Sequence, residues 1–304
     1  MDSLATRIQN NIGEVLIGKR HAISLAVTSL LAGGHLLIED RPGVGKTLLA
    51  RALARSLGLP FQRIQCTADL LPSDILGGQV YHPKTGELTF RQGPVFTNVI
   101  VVDELNRTPP RTQSALLECM QEGRVTVDRV SHELPDPFFV VATQNPLNFS
   151  GTYPLPESQL DRFLLRINLG YPEAEDELEI VAQEDGHRGV EGIHAVASID
   201  ELKVARSLVD KVSVDRELIQ HMVDIAHRTR TSGDVILGVS ARGSQALHRA
   251  CRARAVSQNR DFVIPEDLRV LTRPVYAHRM RTRGGDSAAE AILSEVFDNA
   301  TLPT

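Results

Sequence analysis

Apolar residues form short, non-alternating runs in the first half of the chain and helical spacings in the second. The runs are Leu36 to Ile38, Phe61 to Gln65, Val99 to Val102, Phe138 to Ala142 and Phe163 to Leu169. Helical patterns separate several of them, including Ala22 to Leu31 and Leu48 to Leu57. A strand with one face in water would alternate with polar residues, so unbroken apolar strands suit a parallel sheet covered on both faces. The pattern predicts a three-layer α/β domain with its ligand at the carboxyl ends of the strands.

Two segments break the alternation and read as β-hairpin insertions. Over 78–94, Val80-Tyr81 and Leu88-Thr89-Phe90 flank a turn at His82 to Gly86. Over 124–134, Arg124 to Val127 and Val130 to Leu134 flank Asp128-Arg129. After Tyr171-Pro172 helical patterns follow without strands: Glu173 to Gln183, Asp200 to Val212, Asp215 to Arg230, Arg242 to Ser257 and Glu266 to Arg279. Ser198 and Pro265 are helix-start residues, and Gly186 to Gly192 and Ser232 to Gly238 supply loops. The expected organisation is an α/β domain over 1–172 and an all-α domain over 173–304.

Composition narrows the class. With 304 residues, 42% apolar and 23% charged, the chain has enough material for one large or two ordinary cores. A net charge of −5 argues against a dedicated nucleic-acid binder. Arg249, Arg252 and Arg254, and Arg279, Arg281 and Arg283, form basic clusters without interleaved aromatics, so a solvated or subunit-contacting face is expected of them. Cys66, Cys119 and Cys251 lack C-x-x-C spacing and read as reduced core thiols; the histidines show no ligand spacing. No apolar run approaches the roughly 20 residues that span a bilayer, and the first residues do not resemble a signal peptide. The expected location is the cytoplasm, with no direct membrane insertion.

The chemistry lies at three strand ends. Leu36-Leu37-Ile38 runs into Arg41-Pro42-Gly43-Val44-Gly45-Lys46-Thr47, and Lys-Thr opens a helix that continues through Leu48. Gly43 and Gly45 let backbone N–H groups close around anionic oxygens, and the helix N-terminus adds positive partial charge. Lys46 reaches outer phosphates and the Thr47 hydroxyl ligates Mg²⁺. The usual first Gly of this loop is Asp40 here. A carboxylate aimed at phosphate would repel it, so Asp40 is expected to face away, paired with Arg41 or Arg51, and Asp40→Gly to retain activity.

The strand Val99 to Val102 ends in Asp103-Glu104. Asp103 suits the Mg²⁺ shell, and Glu104 suits the base that orients and deprotonates the attacking water. Val140 to Ala142 leads to Thr143-Gln144-Asn145-Pro146. Asn145 either hydrogen-bonds the γ-phosphate or lytic water, or is a turn Asn before Pro.

Arg41 to Thr47, Asp103 to Arg107, Gln113 to Glu118, Ala142 to Pro146 and Leu160 to Phe163 occur in one order and spacing. Together with Gly238 to Arg242 and Pro274 to Arg279, they resemble the MoxR group of AAA+ ATPases over nearly the whole chain. That resemblance implies an AAA+ P-loop domain with a helical lid, using ATP and Mg²⁺ in a homo-oligomeric ring, a hexamer. It places the nucleotide against Pro42, Gly43, Val44, Gly45, Lys46, Thr47 and Leu48, with Val15 to Gly18, notably Ile17 and Gly18, against the adenine. It makes Asn145 the sensor-1 residue, Arg162 the arginine finger for a neighbouring subunit and Arg242 the sensor-2 residue. Arg107 is the reserve finger, and a salt bridge with Asp161 or with a glutamate at a helix end is the structural alternative for Arg162. The hairpins match the helix-2 and pre-sensor-1 insertions of the group. MoxR proteins act as chaperone-like remodellers, often with von Willebrand factor A domain partners.

Three other readings stay open. A metal-chelatase motor would depend on a large metallating subunit. A DNA motor or transcriptional activator is opposed by the short stretch before the P-loop and by the lack of a Gly-Ala-Phe-Thr-Gly-Ala loop. A nucleotide switch with negligible turnover is opposed by the Asp103-Glu104 pair.

Overall fold

The structure, a computed structural model, describes residues 3–145, 151–182 and 190–298. Pro146, Gln183 and the start of the loop expected from Gly186 lie outside them. The α/β part opens with α1 (Leu4–Gly13) and α2 (Arg20–Leu31), then β1 (His35–Glu39), α3 (Lys46–Ser56) and β2 (Phe61–Gln65). A short α4 (Pro72–Leu76) leads into the hairpin β3 (Gly77–His82) and β4 (Glu87–Gln92). There follow β5 (Val99–Asp103), α5 (Pro110–Glu122), the hairpin β6 (Arg124–Val127) and β7 (Val130–Glu133), β8 (Phe139–Gln144), α6 (Glu157–Leu160) and β9 (Phe163–Ile167).

The five apolar runs make one parallel sheet in the order β2-β5-β8-β1-β9. Its central strands are buried at nearly every position, as their unbroken apolar runs require. Leu36, Ile38, Val99, Val101 and Val141 pack on one face, and Leu37, Ile100, Val102, Val140 and Ala142 on the other. Period-two side chains thus feed two cores, which gives the three layers.

The rest of the chain holds α7 (Ala174–Ala182), α8 (Ile199–Val209), α9 (Arg216–Thr231), β10 (Val235–Leu237), α10 (Ala241–Ser257), α11 (Pro265–Tyr276), β11 (Arg281–Thr282) and α12 (Gly285–Asp298). Ser198 caps α8 through a reciprocal box with Glu201, and Pro265 opens α11. The expectation of helices without strands is corrected here: β10 and β11 pair antiparallel across about 45 residues of chain. Runs of two and three residues carry too little periodicity to be seen in sequence. The core passes without a break from α2 (Ala26, Leu30) into α10 (Leu247, Ala250).

The cysteines are buried and unpaired, and burial pushes the Cys66 and Cys119 thiols up to about 11 and 12, as inert core thiols require. Arg249 and Arg252 donate to the carbonyls of Ala32 and Val212, and Arg254 pairs with the buried Asp267. The solvated or subunit-contacting face expected of this cluster is corrected: these cations bind groups of their own chain, Arg254 in a half-buried pair.

His35, at the start of β1, is fully enclosed. Its Nδ1 accepts the Val140 N–H (3.1 Å) and its Nε2 donates to the Met120 carbonyl (2.9 Å). Burial pulls its pKa down to about 4, because a second ring proton would be desolvated and would face the Val140 N–H. The unfolded state takes up that proton below pH ~6.5, so stability is full above that value and falls toward pH ~4 by about 3 kcal/mol from this residue. Denaturant midpoints measured across this window should show the slope, and His35→Gln should flatten it. Parallel slopes would remove the assignment.

Candidate nucleotide site

Gly43 and Gly45 adopt φ of +85° and +97°, a region side chains rarely enter, and Gly45 caps α3 in that conformation. A Cβ on Gly45 would also lie 2.8 Å from Leu16 Cδ1. The first N–H groups of α3 therefore face the loop's concavity, an anion cradle. Lys46 Nζ folds onto the carbonyls of Asp40 and Arg41. Partial burial pulls its pKa down, opposed by the charges of Asp40, Asp103 and Glu104.

Asp103 ends β5, one strand removed from the P-loop strand with β8 between them. Thr47 Oγ1 donates to Asp103 Oδ2 at 3.3 Å, so the two residues expected at the metal converge. Both supply hard oxygens suited to Mg²⁺, which would take its remaining ligands from phosphate and water. Among the described residues no cluster of three His, Cys, Asp or Glu offers a metal cage of its own.

Glu104 sits at φ 58°, a left-handed turn between β5 and a 3₁₀ turn over Leu105–Arg107. Such a conformation in a non-glycine residue is held by its surroundings: the Glu104 N–H donates to Thr143 Oγ1 (2.9 Å), and that hydroxyl donates to Asp103 Oδ1 (3.3 Å). β8 thereby braces the Asp103 carboxylate and the backbone of Glu104.

Three site side chains were not singled out from the sequence. Arg63 Nε donates to Asp103 Oδ2 at 2.6 Å, Gln65 Nε2 reaches Glu104 Oε2 at 3.5 Å, and Thr143 forms the brace. The signal for the first two was their place on β2, where Gln65 pairs in register with Asp103, information a single sequence does not carry. Arg107, the reserve finger, lies 2.8 Å from its own Glu104.

Beside the P-loop is a cavity of about 440 Å³ lined by Val15, Leu16, Ile17, Gly45, Leu48 and Tyr171, among others. Its size and apolar walls suit a nucleoside. Ile17 lines it. Gly18 does not: at φ +74° it turns the chain into the adjoining hollow, where a Cβ would collide with Asp176 Oδ2 at 2.0 Å. The Tyr171 ring lies 5.5 Å from the Arg41 guanidinium.

The arginines lie elsewhere. Asn145 follows β8 at the carboxyl edge, buried, its carbonyl accepting from Asn106. Arg162 immediately precedes β9, which pairs parallel with β1 from His35 onward. That puts Arg162 at the amino edge of the sheet, about 16 Å of strand from the P-loop edge. It borders a cleft with Glu118, Glu122 and Arg124 and makes no ion pair among the described residues. The salt bridge with Asp161 weighed for it belongs to others: Arg279 Nε at 2.7 Å, with Arg242 Nη1 at 3.8 Å. Arg242, at the start of α10, therefore shares that edge with Arg162.

Asp40 faces away from the cradle, but its partners are not arginine side chains. Oδ1 accepts the Arg41 N–H (2.7 Å), and Oδ2 accepts the N–H groups of Leu169 (2.7 Å) and Gly170 (2.6 Å). Arg51 pairs instead with Glu191. The chain leaving β9 carries N–H donors with no strand to receive them, and they capture the carboxylate first. Asp40→Gly should therefore cost about 1–3 kcal/mol of stability through the orphaned donors, with nucleotide affinity retained. Thermal unfolding and a fluorescent-nucleotide titration separate the two effects; lost affinity would give Asp40 a part in binding.

This combination of parallel sheet, glycine loop opening a helix, braced acid pair and helical lid defines a P-loop ATPase of the AAA class. Residues 35–165 match the family described as ATPase family associated with various cellular activities (AAA), and residues 227–296 match the AAA lid domain. Similar proteins include YeaC of Bacillus subtilis (45% identity, 96% of this chain and 93% of that one) and the chaperone MoxR1 of Mycobacterium tuberculosis (36%, covering 96% and 79%). The crystal structure of a candidate ATPase from Cytophaga hutchinsonii superposes with a TM-score of 0.89 at 34% identity, over 98% of this chain and 94% of that one. The chain belongs to the MoxR family of AAA+ ATPases.

Proposed function

We propose that this chain hydrolyses Mg-ATP in a cytoplasmic homo-oligomeric ring, a hexamer, and uses the cycle to remodel a protein client, with von Willebrand factor A domain proteins as the first class to test. One observation carries the ring: the P-loop, Asp103 and Glu104 occupy the carboxyl edge of the sheet, while Arg162 and Arg242 occupy the amino edge. A subunit does not reach its own phosphates with these arginines. A neighbour's pair completes each site, which favours action in trans for Arg242 as well as Arg162.

In that site Lys46 and the α3 N-terminus bind the phosphates. Thr47 and Asp103 would hold Mg²⁺, which neutralises phosphate charge when bound. Glu104 takes the proton of the attacking water, and Asn145 contacts the γ-phosphate or that water. The neighbour's guanidiniums supply planar, permanent charge where negative charge develops.

The hairpins would carry the motion to the client. Val80, Tyr81, Leu88 and Val130 expose apolar side chains on them. Phe90 of β4 stacks on His132 of β7 with ring centroids 4.0 Å apart, and Phe96 packs edge-on to Phe90. This contact ties the hairpins into one body.

The test is the Glu104→Gln variant saturated with Mg-ATP. Sedimentation should show a closed oligomer, and capture from the native host should bring down a client only in the ATP state. A monomer at saturating Mg-ATP would end the ring reading. Turnover that appears only with a large metallating subunit would favour the chelatase one.

A further inference from the structure

Arg279 closes the Pro274 to Arg279 stretch of the lid, whose purpose the nucleotide site leaves open. It is buried, and its five N–H donors meet five oxygens. Nε donates to Asp161 Oδ1 (2.7 Å), Nη1 to the carbonyls of Leu164 (3.2 Å) and Val275, and Nη2 to those of Phe163 (2.7 Å) and Asp161 (3.3 Å). The guanidinium thus grips the backbone on both sides of Arg162. The other carboxylate oxygen of Asp161 faces Arg242 at 3.8 Å. Gly243, next to Arg242, has no side chain, and a Cβ there would lie 3.2 Å from Arg279 Cδ and 2.5 Å from Val239 Cγ1. The first turn of α10 therefore rests on the Arg279 stem.

A buried guanidinium adds little net stability over an apolar replacement, but when fully satisfied it fixes geometry. From these contacts we infer that Asp161 and Arg279 are positioning residues: they lock Arg162 and Arg242 into one unit, set by the lid and presented to the adjacent subunit. The inference rests on the trans reading of the arginines. Its consequence is directional. Movement of one subunit's lid changes hydrolysis in its neighbour's site, because lid and arginines share one clamp.

The test is subunit mixing. Asp161→Asn should lower kcat about 10-fold or more while KM and the affinity for a fluorescent ATP analogue stay within about two-fold, since the variant's own P-loop is intact. Mixed with Lys46→Ala subunits, which lack their own site but keep the clamp, it should regain turnover above either variant alone. Arg279→Lys, which keeps the charge and loses the fork, should behave alike and decides the matter if Asp161→Asn fails to bind nucleotide. Full turnover in a nucleotide-binding variant overturns the inference. So does a loss that Lys46→Ala subunits do not relieve although they relieve Arg162→Ala. If they relieve neither, the trans reading itself falls.

Discussion

Arg162→Ala is expected to lower ATP turnover by about 10³–10⁵, the range found for arginine fingers elsewhere, with nucleotide affinity nearly unchanged. The side chain stands at the amino edge of β9, a full strand length from its own P-loop. Its obvious local partner, Asp161, is taken by Arg279 and Arg242. On the proposed trans reading, a permanent cation at the rim of a cleft, without an ion pair among the described residues, would meet a phosphate brought by another subunit. The loss should fall on kcat, because charge on the transferring group develops only in the transition state. Turnover against protein concentration, with fluorescent-nucleotide binding as the control, measures it. Wild-type turnover in the variant would return the role to Arg107, whose contact with its own Glu104 would then need to open.

Glu104→Gln should lower turnover by about 10²–10⁴, the worth of a positioned general base, and leave an ATP-bound protein. Glutamine keeps the length and hydrogen bonding of the side chain, so Gln65 and Arg107 retain a partner, and the left-handed backbone held by Thr143 is undisturbed. What disappears is a group able to accept the water proton. Single-turnover hydrolysis of bound ATP reads the chemical step directly. A rate within a few-fold of wild type would show that Glu104 orients water without taking its proton, or that another base acts. Substitution of Asp103 should differ in kind. Asp103 also holds Thr47 and Arg63, so its loss should weaken Mg-nucleotide binding as well as turnover.

Much of this site was legible from residue order. The Gly43–Thr47 loop, the acids after Val102 and the amide after Thr143 each follow an apolar strand, and parallel strands deliver their carboxyl ends to one edge. Both hairpins were legible too; Asp128 and Arg129, with φ of 49° and 69°, form the tight turn their place between two strand-like runs implies. What escaped was of two kinds. Elements as short as β10 and β11 have no measurable period. Partners such as Arg63, or the Leu169 and Gly170 N–H groups on Asp40, lie 40 and about 130 residues away.

By itself the sequence determined the sheet, the lid and which residues stand at the strand ends of the candidate site, because local apolar periodicity and the short loops after strands are local properties. Only the tertiary structure decided where the arginines stand. Arg162 and Arg242 are 80 residues apart, yet Asp161 and Arg279 bring them to one edge, opposite the chain's own P-loop. A side chain's residue type follows from the gene order of the chain, but the edge it faces follows from strand direction and from which buried cation finds five acceptors at once.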